Sequence, residues 1–556
     1  MRTGMFKLLN KILNINSLHS ANRIYGKVIL PHQNRHFSGT MFKSAVFSLQ
    51  DASKDQVQEF LNSFDTVLTD CDGVLWIDNN AIPGAAEAMN HFRKLGKKIF
   101  YVTNNSTKIR SEFALKATQL GFIANQDEIL STAFLVAHYL KGIGFTKKVY
   151  LLGSNGIGEE LKAVGIRHIG VGPDPVKPDF KSMQPSELDP EVGAVVVGFD
   201  EHVSYPKFMK AASYLASEEC LFIATNTDER FPKGGSIVVP GTGTLVRAVE
   251  TCSERKALVL GKPHSYVRKY LESCGLNPAR TLMIGDSLHS ANRIYGKVIL
   301  PHQNRHFSGT MFKSAVFSLQ DASKDQVQEF LNSFDTVLTD CDGVLWIDNN
   351  AIPGAAEAMN HFRKLGKKIF YVTNNSTKIR SEFALKATQL GFIANQDEIL
   401  STAFLVAHYL KGIGFTKKVY LLGSNGIGEE LKAVGIRHIG VGPDPVKPDF
   451  KSMQPSELDP EVGAVVVGFD EHVSYPKFMK AASYLASEEC LFIATNTDER
   501  FPKGGSIVVP GTGTLVRAVE TCSERKALVL GKPHSYVRKY LESCGLNPAR
   551  TLMIGD

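Results

Sequence analysis

The sequence lacks several features that would point directly to a function. No uninterrupted apolar run reaches the length of about 20 residues that a membrane-spanning helix needs. Charge of one sign is also scarce: the net charge is +7 over 556 residues, and no block of Lys and Arg forms a binding stripe. These absences argue against a membrane or a nucleic acid as a partner.

Cysteines are few and irregularly spaced. The chain has eight, and none lies in a C-x-x-C pair or in the spacing of a zinc site. Free thiols in a reducing compartment are the plain interpretation, so we expect a cytoplasmic protein. Cys71 lies between two aspartates. There it either makes activity sensitive to oxidation or is a small buried thiol, and we favour the buried thiol.

Acidic residues are absent before Asp51. Residues 1–40 therefore form a basic leader, which we expect to be disordered. A mitochondrial presequence is the alternative, because such segments are basic, poor in acids and amphipathic. Ser17–Thr40 recurs in mid-chain, where no presequence can act, and this favours the plain leader.

One domain-sized unit is present twice. Ser17–Asp286 recurs as Ser287–Asp556 without a substitution, whereas solenoid repeats are short and divergent. A recent duplication and an artefact of the gene model are both open as its origin. After the leader we divide the chain into three consecutive segments: copy 1 (41–286), a junction (287–310) and copy 2 (311–556).

Short apolar strands alternate with helical segments within each copy. The predicted strands of copy 1 are Val67–Thr69, Lys98–Thr103, Lys148–Leu152, Gly193–Gly198, Leu221–Thr225, Ala257–Leu260 and Thr281–Ile284. This alternation predicts an α/β fold with parallel sheets. Ligands bind such sheets at the carboxyl ends of the strands, which is where the polar motifs lie.

The first polar motif, Asp70-Cys71-Asp72-Gly73, directly follows a strand. Two carboxylates are costly there unless something pairs with them, and Gly73 permits a turn that brings both into one pocket. Mg²⁺ prefers such oxygen ligands and neutralises phosphate. One carboxylate can then attack phosphorus while the other transfers protons. A glycine-capped, Asp-rich turn is the alternative.

Three further motifs follow other predicted strands. Thr103-Asn104-Asn105-Ser106 offers donors to phosphate oxygens, or alternatively an N-cap for the next helix. Gly261-Lys262-Pro263 supplies a positive charge that can offset a nucleophile and a phosphate. Met283-Ile284-Gly285-Asp286 ends in a carboxylate that can complete a metal site.

The order of these motifs resembles the haloacid dehalogenase superfamily, within it the group of 4-nitrophenylphosphatase, phosphoglycolate phosphatase and pyridoxal phosphatase. The matching stretches in copy 1, all repeated in copy 2, are DCDGVLW, VTNNS, VVVGFDEHVSYPKF, ATNTDERFP, PGTGTLVRAVE and LGKP. The resemblance implies a Rossmann-like doubly wound parallel sheet with a large inserted α/β cap. That cap is expected at about 125–232 and again at about 395–502.

The resemblance also implies roles for individual residues. Asp70 is the nucleophile and a metal ligand, Asp72 is the general acid/base and touches the metal through its carbonyl, and Asp286 is a metal ligand. Phosphate is bound by the motif of Thr103, Asn104 and Asn105 and stabilised by Lys262. The same roles in copy 2 fall to Asp340, Asp342, Asp556, Thr373, Asn374, Asn375 and Lys532.

The implied activity is Mg²⁺-dependent hydrolysis of small phosphate monoesters through a phosphoaspartate. Phe231 and Phe501 lie where pyridoxal phosphatase relatives have histidine and phosphoglycolate phosphatase relatives have an apolar residue, which favours phosphoglycolate or 4-nitrophenyl phosphate as the type of substrate. Packing of Phe231 in the cap core is equally compatible with the sequence. A pyridoxal 5′-phosphate phosphatase is one alternative. A catalytically silent, truncated scaffold or a gene-model artefact is another.

Each copy departs from the resemblance after its last motif. Relatives continue with another aspartate and more core, whereas here Asp286 precedes Ser287 and copy 2 stops at Asp556. We therefore expect each copy to lack a final core segment. Leu288–Leu300 and Leu18–Leu30 are candidates to replace it in copies 1 and 2. Relatives also suggest a cap-mediated dimer, within the tandem or between chains.

Overall fold

The computed structural model of the chain describes residues 53–174, 183–231, 236–285, 323–444, 453–501 and 506–555. The leader, the junction, both replacement segments and the predicted metal ligands Asp286 and Asp556 lie outside these residues. None of the helices described is long and apolar enough to cross a membrane.

Helices and strands alternate along the described part of copy 1. The helices are α1 (Lys54–Asn62), α2 (Ala85–Lys94), α3 (Arg110–Gln119), α4 (Thr132–Gly142), α5 (Asn155–Ala163), α6 (Tyr205–Leu215), α7 (Thr242–Ser253) and α8 (Ser265–Ser273). The strands are β1 (Thr66–Thr69), β2 (Trp76–Ile77), β3 (Asn80–Ala81), β4 (Lys98–Thr103), β5 (Ile129–Ser131), β6 (Lys148–Leu152), β7 (His168–Ile169), β8 (Val192–Val197), β9 (Leu221–Ala224), β10 (Leu258–Val259) and β11 (Thr281–Ile284). All seven predicted strands are present.

The same elements recur along copy 2. Its helices are α9 (Lys324–Asn332), α10 (Ala355–Lys364), α11 (Arg380–Gln389), α12 (Thr402–Gly412), α13 (Asn425–Ala433), α14 (Tyr475–Tyr484), α15 (Thr512–Ser523) and α16 (Ser535–Ser543). Its strands are β12 (Thr336–Thr339), β13 (Trp346–Ile347), β14 (Asn350–Ala351), β15 (Lys368–Thr373), β16 (Ile399–Ser401), β17 (Lys418–Leu422), β18 (His438–Ile439), β19 (Val462–Val467), β20 (Leu491–Ala494), β21 (Leu528–Val529) and β22 (Thr551–Ile554).

Two parallel sheets organise each copy, which confirms the predicted α/β class. In copy 1 the core sheet has the order β11-β1-β4-β5 and the cap sheet has the order β10-β9-β8-β6-β7. The cap sheet includes strands from β6 to β10, and the bounds of the insert, 125–232, stay a prediction. Strand β5 is only three residues long and gives little sequence signal, whereas the two residues of β10 fall inside the predicted strand Ala257–Leu260.

The core sheet brings the polar motifs to one edge. Strand β1 is buried along its whole length and pairs with β4 on one side and β11 on the other. Because parallel strands end at the same edge, the residues that follow Thr69, Thr103 and Ile284 lie close together. Gly73 adopts a φ of 81°, a left-handed conformation that lets the chain turn back sharply after the two aspartates.

The caps of the two copies share one hydrophobic core. Tyr205 of copy 1 packs edge-on against Phe469 of copy 2, with ring centroids 5.3 Å apart, and donates its hydroxyl hydrogen to the carbonyl of Pro510 at 2.5 Å. Tyr475 makes the matching hydrogen bond to the carbonyl of Pro240 at 2.5 Å. Buried aromatic rings with satisfied hydroxyls are the contacts that stabilise such interfaces most.

Candidate active site

The carboxylate of Asp70 lies at the end of β1 in contact with a lysine. Lys262 Nζ is 2.6 Å from Asp70 Oδ2, and the lysine side chain is only 4% exposed. The other carboxylate oxygen accepts a hydrogen bond from the N–H of Cys71 at 2.7 Å. These two contacts fix the orientation of the predicted nucleophile and balance its charge.

Asp72 is held by groups from three elements. Its Oδ1 accepts a hydrogen bond from Trp76 Nε1 at 2.9 Å and lies 3.8 Å from Lys116 Nζ on α3. Its Oδ2 accepts from Thr103 Oγ1 at 3.3 Å. The first, second and third motifs therefore lie together, with the first in direct contact with the second and the third.

Asn104 joins loops from three parts of copy 1. Its side-chain Nδ2 donates to Asp228 Oδ2 at 2.9 Å, and its Oδ1 accepts from the N–H of Lys262 at 2.9 Å. Its main-chain carbonyl accepts from Asn226 Nδ2 at 2.8 Å. The amide therefore sets the position of the lysine loop, while its predicted contact with phosphate stays a prediction. The third residue of this motif, Asn105, donates weakly to Asp72 Oδ2 at 3.5 Å.

Cys71 is a buried thiol. Burial, reinforced by the carboxylates of Asp70 and Asp72, raises the pKa of Cys71 well above its ordinary value. Because the thiolate is the species that oxidants attack, this environment protects the sulfur. The structure therefore supports the favoured interpretation, a buried thiol beside the carboxylates of Asp70 and Asp72.

The same arrangement recurs in copy 2, where it opens into a cavity. Lys532 Nζ lies 2.5 Å from Asp340 Oδ2, and Asp342 Oδ1 accepts from Trp346 Nε1 at 2.9 Å. The cavity has a volume of about 610 Å³. Its lining includes Asp340, Asp342, Thr373, Asn374, Asn375, Asp498, Arg500, Phe501 and Lys532.

The loop phenylalanine packs against the cap core in both copies, and in copy 2 it also lines the cavity. Phe501 lines the cavity with the two aspartates. Its counterpart Phe231 packs edge-on against Phe199, with ring centroids 5.1 Å apart, and borders the shared cap core. The residue is therefore anchored by the cap and, in copy 2, also faces the site.

The chemistry of the donor set fits Mg²⁺. Asp70 offers hard carboxylate oxygens and Asp72 adds a carboxylate and a main-chain carbonyl at the same strand end, the ligands that Mg²⁺ prefers. The N–H of Asp70 donates to the carbonyl of Ile284 at 2.8 Å, so the end of β11 is adjacent. Among the described residues no group of three His, Cys, Asp or Glu could hold a metal, and Asp286 lies outside them.

Four residues of the site were not singled out as functional from the sequence. Trp76 and Lys116 orient Asp72, and Asp228 contacts Asn104. The two stretches that contain Trp76 and Asp228 carried the family resemblance. Lys116 gave no signal, since a lysine on a helix is most often a solvated residue. Glu254 gave no signal either; it belongs to copy 1 but lines the cavity of copy 2.

Comparison with known proteins gives one family for both copies. The family model described as haloacid dehalogenase-like hydrolase matches residues 67–167 and 337–437, and a second model of the same description matches residues 172–291. Human glycerol-3-phosphate phosphatase is 42% identical over 246 residues, which is 42% of this chain and 77% of the relative.

Two other relatives show the same extent of similarity. The 4-nitrophenylphosphatase of Schizosaccharomyces pombe is 36% identical over 249 residues, 43% of this chain and 82% of the relative. Human chronophin is 39% identical over 241 residues, 42% of this chain and 78% of the relative. Each alignment has about the length of one copy.

Solved structures of similar proteins include NagD from E. coli K-12 and p-nitrophenyl phosphatase from Archaeoglobus fulgidus. NagD is 27% identical with a TM-score of 0.33, covering 40% of this chain and 80% of NagD. The A. fulgidus protein is 26% identical with a TM-score of 0.34, and the match covers 39% of this chain and 77% of the A. fulgidus chain.

Proposed function

Because the chain belongs to the haloacid dehalogenase-like hydrolase family, we propose that each copy hydrolyses small phosphate monoesters. The proposal rests on one observation: a buried lysine amine 2.6 Å from the Asp70 carboxylate, beside a second aspartate held in place by Thr103 and Trp76. A carboxylate so oriented can act as a nucleophile, and the neighbouring lysine can offset the charge of an incoming phosphate.

Hydrolysis takes two steps in this arrangement. A carboxylate oxygen of Asp70 attacks phosphorus, the bond from phosphorus to the ester oxygen breaks, and Asp72, protonated at that moment, gives its proton to the leaving oxygen. Water then attacks the phosphorus of the phosphoaspartate while Asp72 takes a proton from it, and the bond to Asp70 breaks. Asp72 thus works first as an acid and then as a base.

Mg²⁺ is the cofactor that we propose for this chemistry. Asp70 and the carbonyl of Asp72 would hold it, with Asp286 as a further ligand, and the ion would supply neutralisation of phosphate charge. Lys262 contributes a second positive charge from the chain itself. Asp340, Asp342, Asp556 and Lys532 take these roles in copy 2.

The substrates that we propose have small leaving groups. A cavity of about 610 Å³ lies in the middle of the range for small-molecule sites, and Phe501 presents an apolar ring in it. Glycerol 3-phosphate, phosphoglycolate and 4-nitrophenyl phosphate are compatible with this size. The names of the relatives support the first and third of these esters.

A phosphate-release assay tests the proposal. The purified chain with Mg²⁺ should release phosphate from glycerol 3-phosphate, phosphoglycolate and 4-nitrophenyl phosphate faster than from pyridoxal 5′-phosphate, and chelation by EDTA should stop the reaction. Preference for pyridoxal 5′-phosphate would overturn the substrate assignment. No turnover of any ester would favour a silent scaffold.

We also propose that the cap pairing suggested by relatives is met within this one chain. The shared cap core and the two reciprocal tyrosine hydrogen bonds support this proposal. A cytoplasmic location, with mitochondria as the alternative, likewise stays a proposal. Light scattering tests the pairing, since it should give the mass of one chain.

A further inference from the structure

The C-terminal end of helix α7 in copy 1 reaches the substrate loop of copy 2. Arg500 Nε donates to the carbonyl of Cys252 at 2.7 Å, in the last turn of the helix, and lies 3.3 Å from Glu254 Oε1. The negative end of the helix dipole and a carboxylate thus hold one guanidinium together, an arrangement that favours a cation.

The reciprocal contact exists at the other end of the interface. Arg230 of copy 1 donates from Nε to the carbonyl of Cys522 at 2.6 Å and from Nη2 to that of Ser523 at 2.5 Å. It lies 3.4 Å from Glu524 Oε1. A guanidinium has five N–H groups, more than these carbonyls use, so it can also bind a ligand.

The glutamate that ends each helix adopts an unusual backbone conformation. Glu254 and Glu524 both have a φ of 58°, in the left-handed region where glycine is the ordinary residue at a helix end. This conformation costs a glutamate more free energy than it would cost a glycine, because glutamate has a Cβ. Backbone strain of this kind is common at active sites and ligand clamps.

Glu254 and Arg500 both line the catalytic cavity of copy 2. That cavity also contains Asp340, Asp342 and Lys532, so a carboxylate from copy 1 borders the site of copy 2. Arg500 precedes Phe501 in the loop whose Asp498 contacts Asn374. Arg500 therefore belongs to the loop that borders the site of copy 2, while its guanidinium is bound by residues of copy 1.

We propose that Glu254 positions Arg500 for substrate binding in copy 2, and that Glu524 positions Arg230 in copy 1. This proposal rests on the proposed phosphatase function. Arg500 contacts oxygen atoms of the leaving group, and Glu254 acts through it without touching the reacting phosphorus. Each catalytic site is thereby completed by the other copy.

The tandem arrangement allows a test within one chain. In an Asp70→Asn chain only copy 2 can turn over, and Glu254→Gln should raise its KM for glycerol 3-phosphate about twofold to fivefold, the effect of losing an exposed ion pair. The kcat should change by less than about twofold, because the lost contact is one of binding. Glu254→Asp should recover part of the KM, and Glu254→Gln should add little in a chain that carries Arg500→Lys.

The matched control moves the same change to the other copy. In the Asp70→Asn chain, Glu524→Gln affects only the site of copy 1, which is already inactive, and should leave the KM within about 1.5-fold. Glu218→Gln, which changes an exposed glutamate in the cap of copy 1, should also leave the KM within that range. In an Asp340→Asn chain the two glutamates should exchange their effects. Equal effects of Glu254→Gln and Glu524→Gln, or no effect of either, would overturn the proposal.

A binding titration keeps the test independent of turnover. Calorimetry of glycerol 3-phosphate with the Asp70→Asn, Asp340→Asn chain should show two sites, and Glu254→Gln should weaken one of them. Two unchanged sites would contradict the positioning role. An unmodified chain that binds but does not hydrolyse would instead contradict the proposed function alone.

Discussion

The two copies have the same sequence. Matching side chains are buried to the same extent in the two caps, but to different extents in the two cores. Phe208 and its counterpart Phe478 in the caps are both 0% exposed. In the cores, Val57, Phe60 and Leu61 of α1 are buried, whereas none of the residues of α9 is buried. Because local sequence is identical, the difference depends on the surroundings of each core.

This contrast extends to the two lysines that we propose to be catalytic. The side chain of Lys262 is 4% exposed and that of Lys532 is 20% exposed. A cavity of about 310 Å³ lies beside Lys532, lined by Leu338, Val537 and Met553. The cavity of copy 1 that is lined by Leu68, the counterpart of Leu338, is about 10 Å³ and does not reach Lys262. The caps are thus a shared, self-contained unit, and the cores are where two equal sequences can differ in activity and stability.

Loss of both nucleophiles should have the largest effect. Asp70→Asn with Asp340→Asn should lower kcat by at least about 10³-fold, because the amide that replaces each proposed nucleophile attacks phosphorus far less readily than a carboxylate. Each single change should leave about half of the activity if the two copies are equal catalysts. A phosphate-release assay at saturating glycerol 3-phosphate measures this. An active double variant would contradict the assignment of both residues.

Loss of either lysine that we propose to be catalytic should have the next largest effect. Lys262→Met in an Asp340→Asn chain should lower kcat by about 10²-fold, because it removes a buried charge beside the nucleophile. The matched change, Lys532→Met in an Asp70→Asn chain, should cost less, since the more exposed Lys532 acts in a better-solvated and therefore weaker field. Steady-state kinetics decides, and a larger loss for Lys532→Met would contradict the comparison.

Stability should show the same asymmetry. Phe60→Ala removes a buried ring and should destabilise its core by about 3 kcal/mol. Phe330→Ala removes the same ring from a half-buried position and should cost about half as much. Differential scanning calorimetry of the two variants measures the difference. Equal shifts in the unfolding temperature would show that the two cores are equally packed.

A pH effect should be smallest and equal in both copies. Burial, aided by nearby cations, lowers the pKa of His138 and of His408. Because the unfolded chain then binds more protons, the stability that each neutral histidine contributes is present above about pH 6.5 and decreases as the pH falls towards the folded pKa.

Removing either histidine should therefore flatten the pH dependence. His138→Gln and His408→Gln should each lessen the fall in melting temperature between about pH 7.5 and about pH 5.5 by less than about 2 °C. Thermal unfolding at the two pH values measures the change. A fall as steep as that of the unmodified chain would show that these groups do not titrate differently on folding.

Much of the fold was predictable because its signals are local. Apolar strands such as Lys98–Thr103 and Lys148–Leu152 are long enough to recognise, and the residues that follow parallel strands must meet at one edge. That reasoning places Asp70, Asp72 and Thr103 at one site, whereas Lys262 follows a strand of the other sheet and reaches them through its N–H bond to Asn104. Their catalytic roles remain predictions that the kinetic experiments test.

The rest depends on contacts between distant segments. Strand β10 has two residues, so its place in the cap sheet is set by pairing with β9 and not by its own pattern. Lys116 reaches Asp72 because α3 packs beside β5 of the core sheet. The contact of Glu254 with Arg500 joins residues of different copies, and no single-copy motif could indicate it.

Trapping of the covalent intermediate tests the central claim most directly. The chain is mixed with a ³²P-labelled monoester and Mg²⁺, quenched in acid during turnover, and the label on the protein is counted. We predict label on the unmodified chain, about half as much on the Asp70→Asn and Asp340→Asn chains, and none on the double variant. Turnover without protein-bound label, or label that persists in the double variant, would contradict a phosphoaspartate at these two residues.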